Sequence, residues 1–217
     1  MSTKLTNILL LALIALVAGV GIYIYPSLPD VVASHWNMAG EVTGTLPKFW
    51  GIFILPIIMG VLFIAYAAIP VLDPHHENIA SFRKEYNIFW IILFIFFTLI
   101  FKLVLLKVSG ADPHIEYVLP LAIAVLYLTL GWFLPKTKRN WFVGIRTPWT
   151  LMSESVWDKT HQLGGKLFMI SALGPVILFF MPDAGDIPIV VLVAGPVLLS
   201  ALITIVYSYL EYKKESK

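Results

Sequence analysis

Long apolar runs alternate with short polar ones along this chain. Six of them reach, or come close to, the ~20 residues that a helix needs to cross a bilayer. They are Leu5 to Tyr25, Phe49 to Ile69, Ile88 to Val108, Tyr117 to Leu134, Lys166 to Met181 and Pro188 to Leu210, the fifth being the shortest. The runs are continuous rather than alternating residue by residue. That fits helices, which satisfy every backbone group internally, and not the strands of a membrane barrel. The pattern predicts an all-α polytopic integral membrane protein with six transmembrane helices, in a single membrane domain over residues 1–217.

Composition agrees. The chain is 59% hydrophobic and 13% charged, where a soluble domain is about a quarter charged. It has no Cys, which removes disulfides, thiolate metal sites and cysteine nucleophiles from consideration. The apolar run that follows Lys4 exceeds the ~7–15 residues of a signal-peptide core, so the expectation is a retained first span. Lys4, Arg83, Lys84, Lys136, Lys138, Arg139, Arg146, Lys159, Lys166, Lys213, Lys214 and Lys217 fall on one side of the six runs, and Lys48 and Lys107 near the other. Basic residues flanking spans stay in the cytoplasm. Both termini, the first inner loop (71–86) and the main inner loop (135–165) are therefore expected there, with 26–48 outside, in a multi-pass protein of the cell membrane.

Within the spans, Trp50, Trp90, Trp132 and Trp141 lie at or near run ends, where interfacial anchoring is expected. Pro56, Pro120, Pro175 and Pro196 predict kinks. Gly-Pro-Val occurs at Gly174–Val176 and again at Gly195–Val197; ordinary kinks explain it, and a pair of broken helices is the alternative. Ala15 and Gly19 make a small-xxx-small pair suited to close helix packing. Lys102 lies inside the third run, near its outer end, from which it can snorkel.

The outer loop carries turn formers at Pro26, Pro29, Gly40, Gly44 and Pro47. Asp30 is placed to cap one helical turn before Trp36. His35, Asn37 and Glu41 cluster around a glycine turn; they read as a self-satisfying turn, with His35 also a ligand-contact candidate. In the first inner loop Asp73-Pro74 marks a turn, and adjacent His75 and His76 cannot share a helical face.

Pro135–Gly165 is a polar island of 31 residues. Lys136 to Arg146 form a basic turn containing Asn140, Trp141 and Gly144. After Thr147-Pro148, either Thr150 or Ser153 can cap a short amphipathic helix running to about Leu163, with Glu154 and Asp158 in its first turns and Gly164-Gly165 ending it before span five. Trp157 and His161, four apart, share a face. One reading is a helix on the membrane surface whose basic residues meet anionic lipid. The other adds a recognition surface built from Asn140, Gly144, Arg146, Trp157 and His161.

The string NWFVGIRTPWTLMSESVWDKTHQLGG, Asn140 to Gly165, resembles the signature of the SdpI family of bacteriocin immunity proteins: an Asn and Gly-Ile-Arg-Thr-Pro-Trp-Thr before a Trp-x-x-Thr-His helix. LPDVVASHWNMAGEVTG, Leu28 to Gly44, is similar to an N-terminal domain of unknown function often fused to it, with Leu-Pro and then His-x-Asn-x-x-Gly. The resemblance implies a membrane protein that protects against a secreted toxic peptide. It also implies a relay, in which a small cytoplasmic transcriptional repressor is held at the membrane. The matching positions are Asn140, Gly144, Arg146, Thr147, Pro148, Thr150, Trp157 and His161 inside, and Pro29, His35, Asn37 and Gly40 outside.

The expected function is therefore toxin immunity without catalysis and without cofactor or metal. The peptide is met at the outer face or within the membrane, a repressor partner at residues 135–165, and nucleic acid not directly. Contact candidates are His35, Asn37, Glu41, Asn140, Gly144, Arg146, Thr147, Trp149, Thr150, Trp157 and His161, with Trp149 and Trp157 as aromatic anchors. The alternatives are a metal-assisted membrane hydrolase using His161, Glu154 and Asp158, and a transporter using Lys102. Against the first, the chain has no His-Glu-x-x-His and no Gly-x-Ser-x-Gly.

Overall fold

The computed structural model describes residues 2–37, 41–181 and 190–216. The order of elements is α1 (Thr3–Ile24), β1 (Val31–Trp36), β2 (Val42–Pro47), α2 (Lys48–Leu72), a short α3 (His76–Ser81), α4 (Arg83–Val108), α5 (Ile115–Phe133), a short α6 (Pro148–Met152), α7 (Glu154–Ser171), α8 (Leu173–Phe179) and α9 (Gly195–Glu215), the last entered through a π-helical turn at Val190–Ala194. Among the described residues six helical stretches are long and apolar enough to cross a membrane. The all-α polytopic architecture is as the apolar runs predict.

The polar connections identify the two ends of the bundle. Arg83 donates to Thr3 Oγ1 at 3.3 Å, Asn78 Nδ2 to the Arg139 carbonyl at 2.7 Å, and Ser153 Oγ to Glu215 Oε2 at 2.6 Å. The N-terminus, both basic loops and the end of α9 thus lie together, the grouping that the basic residues predict. The β-hairpin lies against the start of α2 and against α4.

Helices α1, α2 and α4 share a core of Leu10, Val17, Ile52, Met59, Tyr66, Tyr86 and Phe94. Pro70 inside α2 has no N–H, so the Tyr66 carbonyl four residues earlier loses its helical partner. The Tyr86 hydroxyl donates to that carbonyl at 3.0 Å, and the Tyr66 hydroxyl donates to Asn87 Oδ1 at 3.0 Å. The Arg83 guanidinium lies over both rings, 5.3 and 5.2 Å from their centroids. Phe89 stacks on Phe133 at 4.8 Å and joins this half to α5. Helices α5, α7, α8 and α9 form the other half.

Several local expectations change. Residues 31–36 form a strand, not a helical turn, paired antiparallel with β2 and bulged between Ala33 and His35. The β-branched pair Val31-Val32 suits a pleated surface, and Val32 is buried against Gly51 at the start of α2. Gly40 lies outside the described residues. Trp90 is buried against Tyr66 and Tyr86 rather than placed at an interface. Ala15 and Gly19 are exposed; the close approach on α1 is at Gly21, where a Cβ would stand 2.9 Å from Ile52.

Gly164-Gly165 does not end a helix either. α7 runs through both, and span five extends over Glu154–Phe179. A Cβ on Gly165 would meet the Gly131 carbonyl at 2.7 Å and Pro135 at 2.6 Å. Close packing of α7 on α5 outweighs the ~1 kcal/mol helix cost of a glycine. The amphipathic segment is thus the first half of span five. The Gly-Pro-Val sites do mark helix irregularities, the α7–α8 break and the π turn, and Gly174 abuts the backbone of Leu192.

Candidate functional site

The 134–153 connection is built around a buried asparagine. Asn140 Nδ2 donates to the carbonyls of Lys138 and Val143 at 2.8 and 2.9 Å, and Oδ1 accepts from the amides of Phe142 and Val143 at 3.0 and 2.6 Å. All four hydrogen-bonding positions of the amide close its own loop. Asp73, buried at the end of α2, ties this loop to the connection between α2 and α3. One oxygen accepts the His75 amide at 2.7 Å and the other the Trp141 amide at 2.8 Å.

Beneath the loop lie Trp157 and His161, stacked at 4.0 Å and both buried. The Trp157 indole donates to the Thr137 carbonyl at 3.1 Å. His161 Nε2 accepts the Ile145 amide at 2.8 Å, so it carries no proton. Nδ1 is then the N–H that donates to the Trp157 carbonyl at 2.8 Å. Gly144 crosses directly over the imidazole with φ +115°, and a Cβ there would collide with Nε2.

The chain then turns into α6. Thr147 is its N-cap and forms a reciprocal box with Thr150: the Thr150 amide donates to Thr147 Oγ1 at 3.2 Å and the Thr147 amide to Thr150 Oγ1 at 2.9 Å. Pro148 occupies the first turn, where its missing N–H costs nothing. Ser153 caps α7, accepting from the Val156 amide at 3.2 Å, one of the two caps that the sequence suggests.

α9 reaches this loop through a buried polar stripe. Ser200 meets Ser171 at 3.2 Å, Ser208 meets Thr147 at 3.0 Å, and Glu211 pairs with Lys159 at 3.0 Å. Between loop and helix lies a cavity of about 520 Å³, whose wall includes Ile145, Trp149, Phe168, Thr204 and Ile205, with Arg146 at its polar side. Arg146 is exposed and donates to the Trp141 carbonyl at 2.8 Å. Trp149 packs 5.1 Å from Tyr209. Trp141 and Phe142 are exposed beside them.

The fold therefore brings Asn140, Gly144, Arg146, Thr147, Trp149, Thr150, Trp157 and His161 into one constellation. Asn140, Thr147, Thr150, Trp157 and His161 lie inside it and shape the loop, while Arg146 and half-buried Trp149 reach its outside. His161, Glu154 and Asp158 do not converge. Glu154 faces Arg139 at 3.5 Å, Asp158 faces Lys138 at 3.5 Å, and both imidazole nitrogens are engaged elsewhere. His35, Asn37 and Glu41 belong to the hairpin. Asn37 Nδ2 donates to Glu41 Oε2 at 2.8 Å and the Glu41 amide donates to Asn37 Oδ1 at 2.9 Å, while exposed His35 lies 2.9 Å from Ser34 Oγ.

The sequence reading missed Asp73, Ser208 and Glu211. Ser200, Thr204, Ser208 and Glu211, spaced on one face of an apolar span, were a legible signal. Nothing local marks Asp73 as more than a turn residue.

Residues 136–208 match the model of the SdpI/YfhL protein family, and residues 11–60 match a domain of unknown function (DUF1648). Its C-terminal third thus carries the pattern of the SdpI family. The chain is 24% identical over 209 residues to the immunity protein SdpI of Bacillus subtilis (strain 168), covering 96% of each chain. No solved structure matches it. The family match takes in the loop built on Asn140 and His161 together with Ser200, Thr204 and Ser208 of α9; the second match takes in the hairpin with His35, Asn37 and Glu41.

Proposed function

We propose that this chain is an immunity protein of the cell membrane that protects the cell against a secreted toxic peptide. The observation that carries the reading is the end-to-end similarity to an immunity protein, over 96% of both chains. It includes the outer hairpin as well as the inner loop. The peptide is met at the hairpin face or within the bilayer. The inner loop, with Arg146, Trp149, Trp141 and Phe142 on its outside, is the face for a small cytoplasmic repressor, because exposed aromatics beside an Arg favour a protein partner.

Movement of α9 offers a physical route between the two. Its Ser208 and Glu211 hold Thr147 and Lys159, so a shift of that span alters how the loop is presented. The test is a killing assay. Toxin-sensitive cells express the chain or Arg146→Ala and meet a panel of secreted amphipathic peptide toxins. Protection by the native chain supports immunity, and its loss in the variant, at equal membrane levels, places the inner loop in the mechanism. Sensitivity to every peptide, with the protein present in the membrane, counts against the reading.

A further inference from the structure

A second cavity, of about 610 Å³, lies at the hairpin end between α1 and α4. Its walls are apolar, with Val17, Val20 and Ile24 on one side and Phe101 and Leu105 on the other, and Lys102 is the one cation among the described residues that line it. The hydroxyls at its edge donate to their own helices or turns: Ser27 to the Ile24 carbonyl, Ser109 to that of Leu106 and Thr98 to that of Phe94, at 2.7, 2.8 and 2.8 Å. Lys107, nearby, is held by Asp112 at 3.0 Å. The hydrogen bond from Lys107 keeps the Asp112 carboxyl below the usual carboxylate range, so this pair persists at mildly acidic pH. Lys102 is exposed, and among the described residues no carboxylate stands within ion-pair distance of it.

We infer that this groove is a binding site for one anionic phospholipid, whose acyl chain lies between α1 and α4 and whose phosphate is met by Lys102. Lys102 stands six residues before Val108, the end of α4, about 9 Å below it. From that depth a lysine reaches the headgroup level. An extended peptide does not fit the walls, because its backbone N–H and C=O groups would be buried without partners. An alkyl chain has no groups to satisfy, and its headgroup supplies the anion that Lys102 lacks. The inference is independent of the immunity reading, and it concerns the end of the bundle opposite the basic loops.

The test compares the full chain with Lys102→Gln in nanodiscs containing phosphatidylglycerol and phosphatidylcholine with the same acyl chains, reading retained lipid by native mass spectrometry. The native chain should retain one phosphatidylglycerol more than the variant does. Its preference over phosphatidylcholine should fall about five-fold on substitution, the worth of one basic side chain against an anionic headgroup. Val20→Trp, which fills the groove from α1, should lose the same lipid with Lys102 intact. Equal phosphatidylglycerol retention by the native chain and Lys102→Gln overturns the site. So does equal retention of the two lipids by the native chain, which would mean chain binding without charge selection. So does displacement of the bound lipid by an amphipathic peptide, which would make a peptide the better occupant.

Discussion

The Nε2 atom of His161 accepts the backbone amide of Ile145 at 2.8 Å, across 16 residues of chain. This bond decides the tautomer, since Nδ1 must then donate to the Trp157 carbonyl. It also holds the signature loop down on the first half of span five. A residue that looks like a general base or a metal ligand in the sequence has both nitrogens engaged in holding a loop.

His161→Phe keeps the stacking on Trp157 and removes both hydrogen bonds, leaving the Ile145 amide without a partner. The expected loss is about 1–3 kcal/mol of stability. Hydrogen exchange at the Ile145 amide should rise in step. Native-like protection there would show that the imidazole does not hold the loop.

Gly144→Ala and Gly110→Ala separate two costs. Both glycines have positive φ, +115° and +82°, but only at Gly144 does a Cβ meet a side chain within 4 Å. Each substitution incurs about 1–2 kcal/mol from the backbone, and Gly144→Ala must also displace His161. Thermal unfolding in detergent should rank Gly144→Ala clearly below Gly110→Ala.

Tyr86→Phe leaves the carbonyl freed by Pro70 unpaired, at a cost of about 1–3 kcal/mol. Pro70→Ala restores an N–H at the position that serves the Tyr66 carbonyl, so Tyr86→Phe should cost less in that background. Additivity of the two substitutions in a double-mutant cycle would refute the link.

Asp73→Ala removes the acceptor of the Trp141 and His75 amides. Bonds of this charge-assisted kind contribute about 1.5–3 kcal/mol. Limited proteolysis should cut the 136–147 segment faster in the variant while the spans stay intact.

Arg146→Ala should leave stability within about 0.5 kcal/mol, as for an exposed side chain, yet abolish protection. A large drop in unfolding temperature would instead make Arg146 a structural residue of the loop.

The spans were legible because a bilayer demands ~20 apolar residues in a row, whatever packs beside them. The Ser153 cap and the shared face of Trp157 and His161 were legible too, since both are relations within one helix. Gly164-Gly165 was misread because the same residue type ends a helix in water and lets two helices touch in a membrane. Val31–Trp36 was misread because its strand exists only through pairing with β2 and docking on Gly51.

The sequence by itself thus determined the class, the six spans, the end of the bundle where the basic loops gather and the motif that carries the family resemblance. Lipid leaves the backbone no partner but itself, so those features follow from local composition. Only the tertiary structure decided which polar side chains are buried and what they hold. Asp73 finds Trp141 across 68 residues and Thr147 finds Ser208 across 61. Such bonds form because a buried polar group must find a partner wherever the packing of helices brings one, and no local pattern encodes that meeting.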